Sequence, residues 1–260
     1  MSNLFRKMFC PQSVYERRIA ISKYWSERFE SKVQYGLFKG LRLPRQPNWS
    51  SGDLAPKLFG LYEMQVLKEL QRFAFRRSML IDCGGADGFY AVGSVFSGLF
   101  DRCITFEISE SGRNVIEQAA DEHDVKDCVK VLGEITAETM LAFETTVLDQ
   151  AVLLMDIEGG EFDVLTDAVV SKLRNVPCIV ELHPWMVADG EDKCEALKSR
   201  YNKTHDISII NTGCRDLSIF PELRSSNDDD RYLVASEGRG RCMDWLVCTP
   251  KITQDALINN

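Results

Sequence analysis

The chain has three histidines, His123, His183 and His205, and only His183 closes a run that reads as a buried strand. That run, CIVEL (178–182), places Glu181 and His183 two residues apart and so on one face, and Pro184 then ends it. An earlier apolar run, VLLM, ends in Asp156, with Glu158 two positions on; the pair shares a face if the strand continues through both. Charges at the end of a buried strand are costly unless something uses or pairs them. An imidazole with an ordinary pKa of about 6.5 suits a general base near neutrality, and Asp156, Glu158 or Glu181 would orient it and raise that value. Two other readings stand beside this one. His183 caps its strand by bonding backbone, or it joins Asp156, Glu158 and Glu181 around a divalent metal, whose preference for hard oxygen fits the carboxylates. No metal is assigned on sequence.

A second constellation is LIDCGGADGFYAVG (80–93). An apolar run meets Asp82, glycines follow at Gly84 and Gly85, and Gly88 precedes residues able to start a helix, beginning with Phe89 and Tyr90. Such a turn admits a ligand without a Cβ in the way, and the helix beyond it points free N–H groups at the ligand. A dinucleotide G-x-G-x-x-G fingerprint ending at Gly88 would need glycine at position 83, which is Cys83. The pattern present is D-x-G-x-x-x-G. Glu107 closes the next predicted strand, RCITFEI (102–108), near the usual separation of about 20 residues, where an acid accepts from both ribose hydroxyls. Ile108 follows it. Glu134 and Ile135 end the third strand, and an acid followed by an apolar residue suits an adenine amine and ring face.

The elements that must position these residues alternate. Strands are predicted near 79–82, 102–108, 129–132, 152–158, 178–182, 206–210 and 245–248, with helices over 53–75, 89–100, 110–122, 137–144 and 191–201. Residues 231–235 read as a further extended segment, and SSNDDD (225–230) as a surface loop. The alternation predicts an α/β fold with a doubly wound, mostly parallel sheet. Residues 1–52 form a basic, aromatic, helical extension, read either as a packing element or as a flap over a ligand; residues 53–260 form the main domain. Tyr62 and Glu63, near the start of the helix before the first strand, are candidate ligand contacts, as is Glu181.

Together these stretches resemble the FkbM-type branch of the class I S-adenosylmethionine-dependent methyltransferases. The resemblance rests on LFGLYEMQVL, LIDCGGADGFYAVG, the FEI strand end, LLMDIEGGEFDVL, IVELHP and RYLVASEGRGRCMDWLVCTPK, and spans most of residues 53–251. It implies a Rossmann-like seven-stranded sheet, S-adenosylmethionine as cofactor with Asp82 facing its amino group, and methyl transfer to a hydroxyl of a carbohydrate or natural-product acceptor. In that setting His183, Asp156 and Glu158 are the candidate catalytic residues. Asp82, Gly84, Gly85, Gly88, Tyr90, Glu107, Ile108, Glu134, Ile135 and Asp156 are the candidate cofactor residues.

Composition bounds the alternatives. With 260 residues, 45% hydrophobic and 27% charged, one α/β domain with an elaboration fits, and no apolar run approaches the roughly 18 residues of a membrane span. The opening residues lack a signal-peptide pattern, which makes a cytoplasmic location the expectation. Nine cysteines are scattered without a C-x-x-C pair, as reduced core cysteines are. A net charge of −8 disfavours nucleic acid as partner. A nicotinamide-dependent oxidoreductase is the competing enzyme class, disfavoured by Cys83 and the lack of a Tyr-x-x-x-Lys pair. A cofactor-binding interaction protein without catalysis is the competing non-enzyme.

Overall fold

The apolar runs become strands because nothing else could bury them so completely. All five residues of Ala151–Met155 and of Cys178–Leu182 are buried, as expected of strands covered on both faces. In the computed structural model, which describes residues 13–44, 47 and 50–251, seven strands form one sheet. They are β1 (Met79–Cys83), β2 (Arg102–Phe106), β3 (Val129–Leu132), β4 (Ala151–Met155), β5 (Cys178–Leu182), β6 (His205–Asn211) and β7 (Asp244–Pro250). Their order is β3-β2-β1-β4-β5-β7-β6, parallel except for β7, which runs antiparallel to both β5 and β6. This is the Rossmann-like sheet expected of a class I methyltransferase fold. The opening stretch 1–12 and Trp49 lie outside the described residues.

The register brings the chemistry to one edge. Met79 pairs with Arg102 and Ala151, so β1, β2 and β4 all finish at the level of Cys83, Phe106 and Met155. Asp156, Glu107 and Gly84 therefore leave the sheet side by side. Behind them, Leu153, Met155, Val180, Phe162, Leu173 and Tyr201 form part of one continuous core. Full burial of each such aliphatic side chain stabilises by about 1.5–3 kcal/mol, and this anchors the edge from which the polar residues project.

By packing, the chain divides into two units, Glu63–Gly213 with Cys242–Asn260, which holds the sheet, and Met1–Tyr62 with Cys214–Arg241. In the second of these, Ser13 and Glu16 make a capping box for the helix Val14–Arg28. Trp25, Phe29, Tyr35, Phe59 and Phe220 build its aromatic core. Arg17 bonds Asn227 and Asp230.

Two expectations about elements are corrected. The predicted helix over 53–75 is two helices, Leu54–Leu58 and Met64–Ala74, because Gly60 (φ 64°) and Glu63 (φ 44°) turn the backbone left-handed between them. Residues 231–235 are not extended and 225–230 are not merely loop. Asn227 accepts from the Asp230 N–H, and three aspartates sit in the first turn of a helix over Asp228–Val234, where they favour its positive end.

Candidate functional site

Beyond β1 the chain turns through Gly84 (φ 98°) and Gly88 (φ 80°) into the helix Phe89–Phe96. The structure revises why these positions are glycine. A Cβ on Gly84 would lie 1.8 Å from the Asp156 carbonyl oxygen, and one on Gly85 would lie 2.4 Å from Thr105 Oγ1. Packing of β1 against β4 and β2 requires them, whereas space for a ligand was the expected reason. Asp82 lies under this turn, 2% exposed, with Oδ2 accepting from the Thr105 hydroxyl at 3.0 Å. Burial, then the negative charges of Asp156 and Glu107, hold its pKa up at about 7, with the Thr105 bond working the other way.

Glu107 leaves the end of β2 with both oxygens held. Oε2 accepts from the Ala86 N–H at 2.8 Å and Oε1 from the Ser109 N–H at 2.7 Å. Each oxygen keeps a lone pair, so the carboxylate is fixed in place yet able to accept from two neighbouring hydroxyls. Next to it, Ile108 is 72% exposed, an apolar surface at the sheet edge. Ile135 differs: it is buried in the core near Met140, so its side chain is not the one offered to a ligand ring. Glu134 is exposed. Tyr90 donates its hydroxyl to Glu63, which is buried despite its left-handed backbone. Tyr62 belongs to the other unit, where the Lys57 ammonium lies 4.6 Å from its ring centre.

Around His183 the four polar groups do come together, by a different route from the one expected. β4 ends at Met155, so Asp156 and Glu158 are not on a common strand face; Glu158 sits in the turn that follows, with φ 53°. His183 Nε2 nevertheless faces Asp156 Oδ1 at 3.5 Å, Glu158 Oε2 at 3.6 Å and Glu181 Oε2 at 3.8 Å. The imidazole is 2% exposed. Asp156 Oδ1 is buried without a hydrogen-bond partner. Burial raises the pKa of Asp156 to about 6 despite Glu181 and His183, which pull it down. For His183, burial works to lower the pKa, but the Glu161 bond and the charges of Asp156, Glu161 and Glu158 outweigh it and leave the value raised.

Glu161 escaped the sequence reading. It is fully buried, accepts from the Gly159 N–H at 2.8 Å and the His183 N–H at 2.7 Å, and stands 3.3 Å from His183 Nδ1. The signal for it was the third acid of DIEGGEF, a charge set immediately against the apolar Phe162. Thr105 was missed as well, as the only hydroxyl within the apolar strand RCITF.

No family model and no curated protein matches this sequence. In structure, the chain is similar to a putative tRNA (m1A22) methyltransferase from Streptococcus pneumoniae, at 17% identity over 75% of this chain and 74% of the other, with a TM-score of 0.46. It is similar to the cofactor-bound Rv0187 from MTB, at 12% identity over 96% and 95%, TM-score 0.48. It is also similar to an O-methyltransferase from Bacillus cereus in complex with SAH, at 10% identity over 96% of each, TM-score 0.45. Likeness at these identities concerns the fold alone, and the strand order itself is what makes that fold Rossmann-like. The resemblance to the FkbM-type family is corrected to the Rossmann-like fold alone, since no family model matches. The expectation of no nucleic-acid partner is also withdrawn: a putative tRNA (m1A22) methyltransferase from Streptococcus pneumoniae and the B. subtilis M1A22 tRNA methyltransferase stand among the similar structures. Among the described residues no helix is long and apolar enough to cross a membrane.

Proposed function

We propose that this chain is an S-adenosylmethionine-dependent methyltransferase that methylates a hydroxyl oxygen of a small or sugar-like acceptor. The observation that carries the cofactor assignment is the Glu107 carboxylate, pinned by the Ala86 and Ser109 N–H groups beside the glycine turn of a class I sheet. In this reading Glu107 accepts from the two ribose hydroxyls, exposed Ile108 lies against the adenine, and Asp82 meets the amino group of the methionine moiety. When bound, the cofactor supplies a methyl group already activated on a sulfonium. The chain's own work is then to align the acceptor and give its proton somewhere to go. An oxygen nucleophile must lose a proton, whereas a ring nitrogen with a free lone pair need not. The cluster of His183 with Asp156, Glu158 and Glu181 at the ends of β4 and β5 supports an acceptor that loses one.

Titration calorimetry with S-adenosylmethionine, S-adenosylhomocysteine and NAD tests the reading, using the parent, Glu107→Gln and Glu107→Ala. Loss of two charge-assisted bonds should weaken the first two ligands at least about tenfold in Glu107→Ala, with Glu107→Gln in between. Binding of NAD in preference to either, or unchanged affinity in a folded Glu107→Ala protein, would overturn it.

A further inference from the structure

We infer that Asp156, Glu158 and His183 form a binding site for a divalent first-row transition cation. The placement of the imidazole is the starting point. Glu161 accepts two backbone N–H groups, one on each oxygen, from Gly159 and His183. Its Oε1 also stands 3.3 Å from Nδ1, so Glu161 holds that side of the ring. Nε2, on the other side of the ring, is turned toward oxygens of Asp156, Glu158 and Glu181. Lone pairs facing one another across such gaps repel. A proton on Nε2 would relieve this only in part, because 3.5–3.8 Å is too long for a good hydrogen bond to any of the three.

A cation satisfies Nε2 and the oxygens of Asp156 and Glu158 at once. One donor atom each from Asp156, Glu158 and His183 lies within 4.8 Å of the others. Ligands about 2.1 Å from a tetrahedral ion stand about 3.4 Å apart, close to the 3.5 and 3.6 Å found from Nε2 to Asp156 and Glu158. The buried Asp156 Oδ1 that lacks a hydrogen-bond partner becomes a ligand atom. Glu161 supplies the carboxylate behind the ligating histidine, the arrangement that orients metal-bound imidazoles and makes them better donors. Mixed imidazole and carboxylate ligation selects cations of the zinc, manganese and iron kind over calcium. Three protein ligands leave a position open. A hydroxyl held there ionises far more readily, so this site deepens the proposed function by handling the acceptor's proton, although cation binding itself does not depend on that function.

The test is cobalt(II) and zinc(II) titration of the metal-stripped full chain, with S-adenosylmethionine affinity measured on the same samples. The expected result is one cation per chain, a tetrahedral cobalt absorption band, and affinity lowered at least about tenfold in Glu158→Gln and in His183→Gln. Glu158 is exposed enough that its variant should keep the fold, and Glu161→Gln, which would touch the cation only through His183, should shift the cobalt spectrum and weaken binding less than His183→Gln does. Failure to take up either cation, or uptake indifferent to Glu158→Gln and His183→Gln, overturns the site. Cation binding without S-adenosylmethionine binding would instead overturn the proposed function and leave the site standing.

Discussion

Replacing Asp82 by asparagine separates the cost of one buried charge from everything around it. The carboxyl lies under the glycine turn with its pKa raised from 3.8 to about 7, burial being the main cause. In the unfolded chain this proton leaves near 3.8, and in the folded chain only near 7. Between those values the unfolded state binds fewer protons, so stability falls as pH rises. A shift of roughly three units, at about 1.36 kcal/mol each, corresponds to about 4 kcal/mol lost across that window. Asparagine cannot ionise and keeps an oxygen for the Thr105 hydroxyl, which donates at 3.0 Å. Urea denaturation at a series of pH values should therefore find parent and Asp82→Asn equal below pH 4, with the variant more stable by up to about 4 kcal/mol at pH 8. A difference that stays constant with pH would refute the argument. In the proposed function the same carboxylate meets the cofactor's ammonium group, so calorimetry at pH 8 should show weaker S-adenosylmethionine binding in the more stable protein.

Other outcomes follow from the same geometry. Gly84→Ala should cost more than about 3 kcal/mol, or prevent folding, because its Cβ meets the Asp156 carbonyl at 1.8 Å in a left-handed backbone; thermal melting without any ligand checks this, and a well-folded variant that merely binds cofactor poorly would contradict it. His205 is buried, with Nδ1 bonded to Thr204 and Nε2 to the Val176 carbonyl, and burial lowers its pKa despite that carbonyl bond. The folded state thus resists protonation there, and stability should fall as pH drops below about 6.5; His205→Gln should flatten the difference in acid denaturation between pH 7 and 5.

Much of the sheet was legible because parallel strands announce themselves as apolar runs. VKVL, AVLLM and CIVEL could be little else, and Asp82, Glu107, Asp156 and His183 all follow such runs directly. What stayed hidden depended on distance or on dihedral angle. The left-handed backbone at Glu63 breaks a stretch whose apolar spacing is uninterrupted, and composition does not forewarn of φ 44° on a glutamate. RYLV reads as extended until the cap at Asn227 is set against it. That residues 214–241 fold with 13–62 is a matter of packing between segments some 150 residues apart, for which there is no local pattern. At the site, Asp156 and Glu158 were paired through a strand that does not reach them, yet both arrive at His183 because the turn after β4 curls back toward the end of β5.

The glycine turn carries a wider implication for reading such sequences. Gly84 and Gly85 answer to neighbouring protein atoms, the Asp156 carbonyl and the Thr105 side chain. A lineage that ceased to use the cofactor would still be obliged to keep both residues in order to close the sheet. Their persistence in a diverging sequence would record the architecture, while the first trace of lost activity would be written in exposed Ile108, which the fold leaves freer to drift.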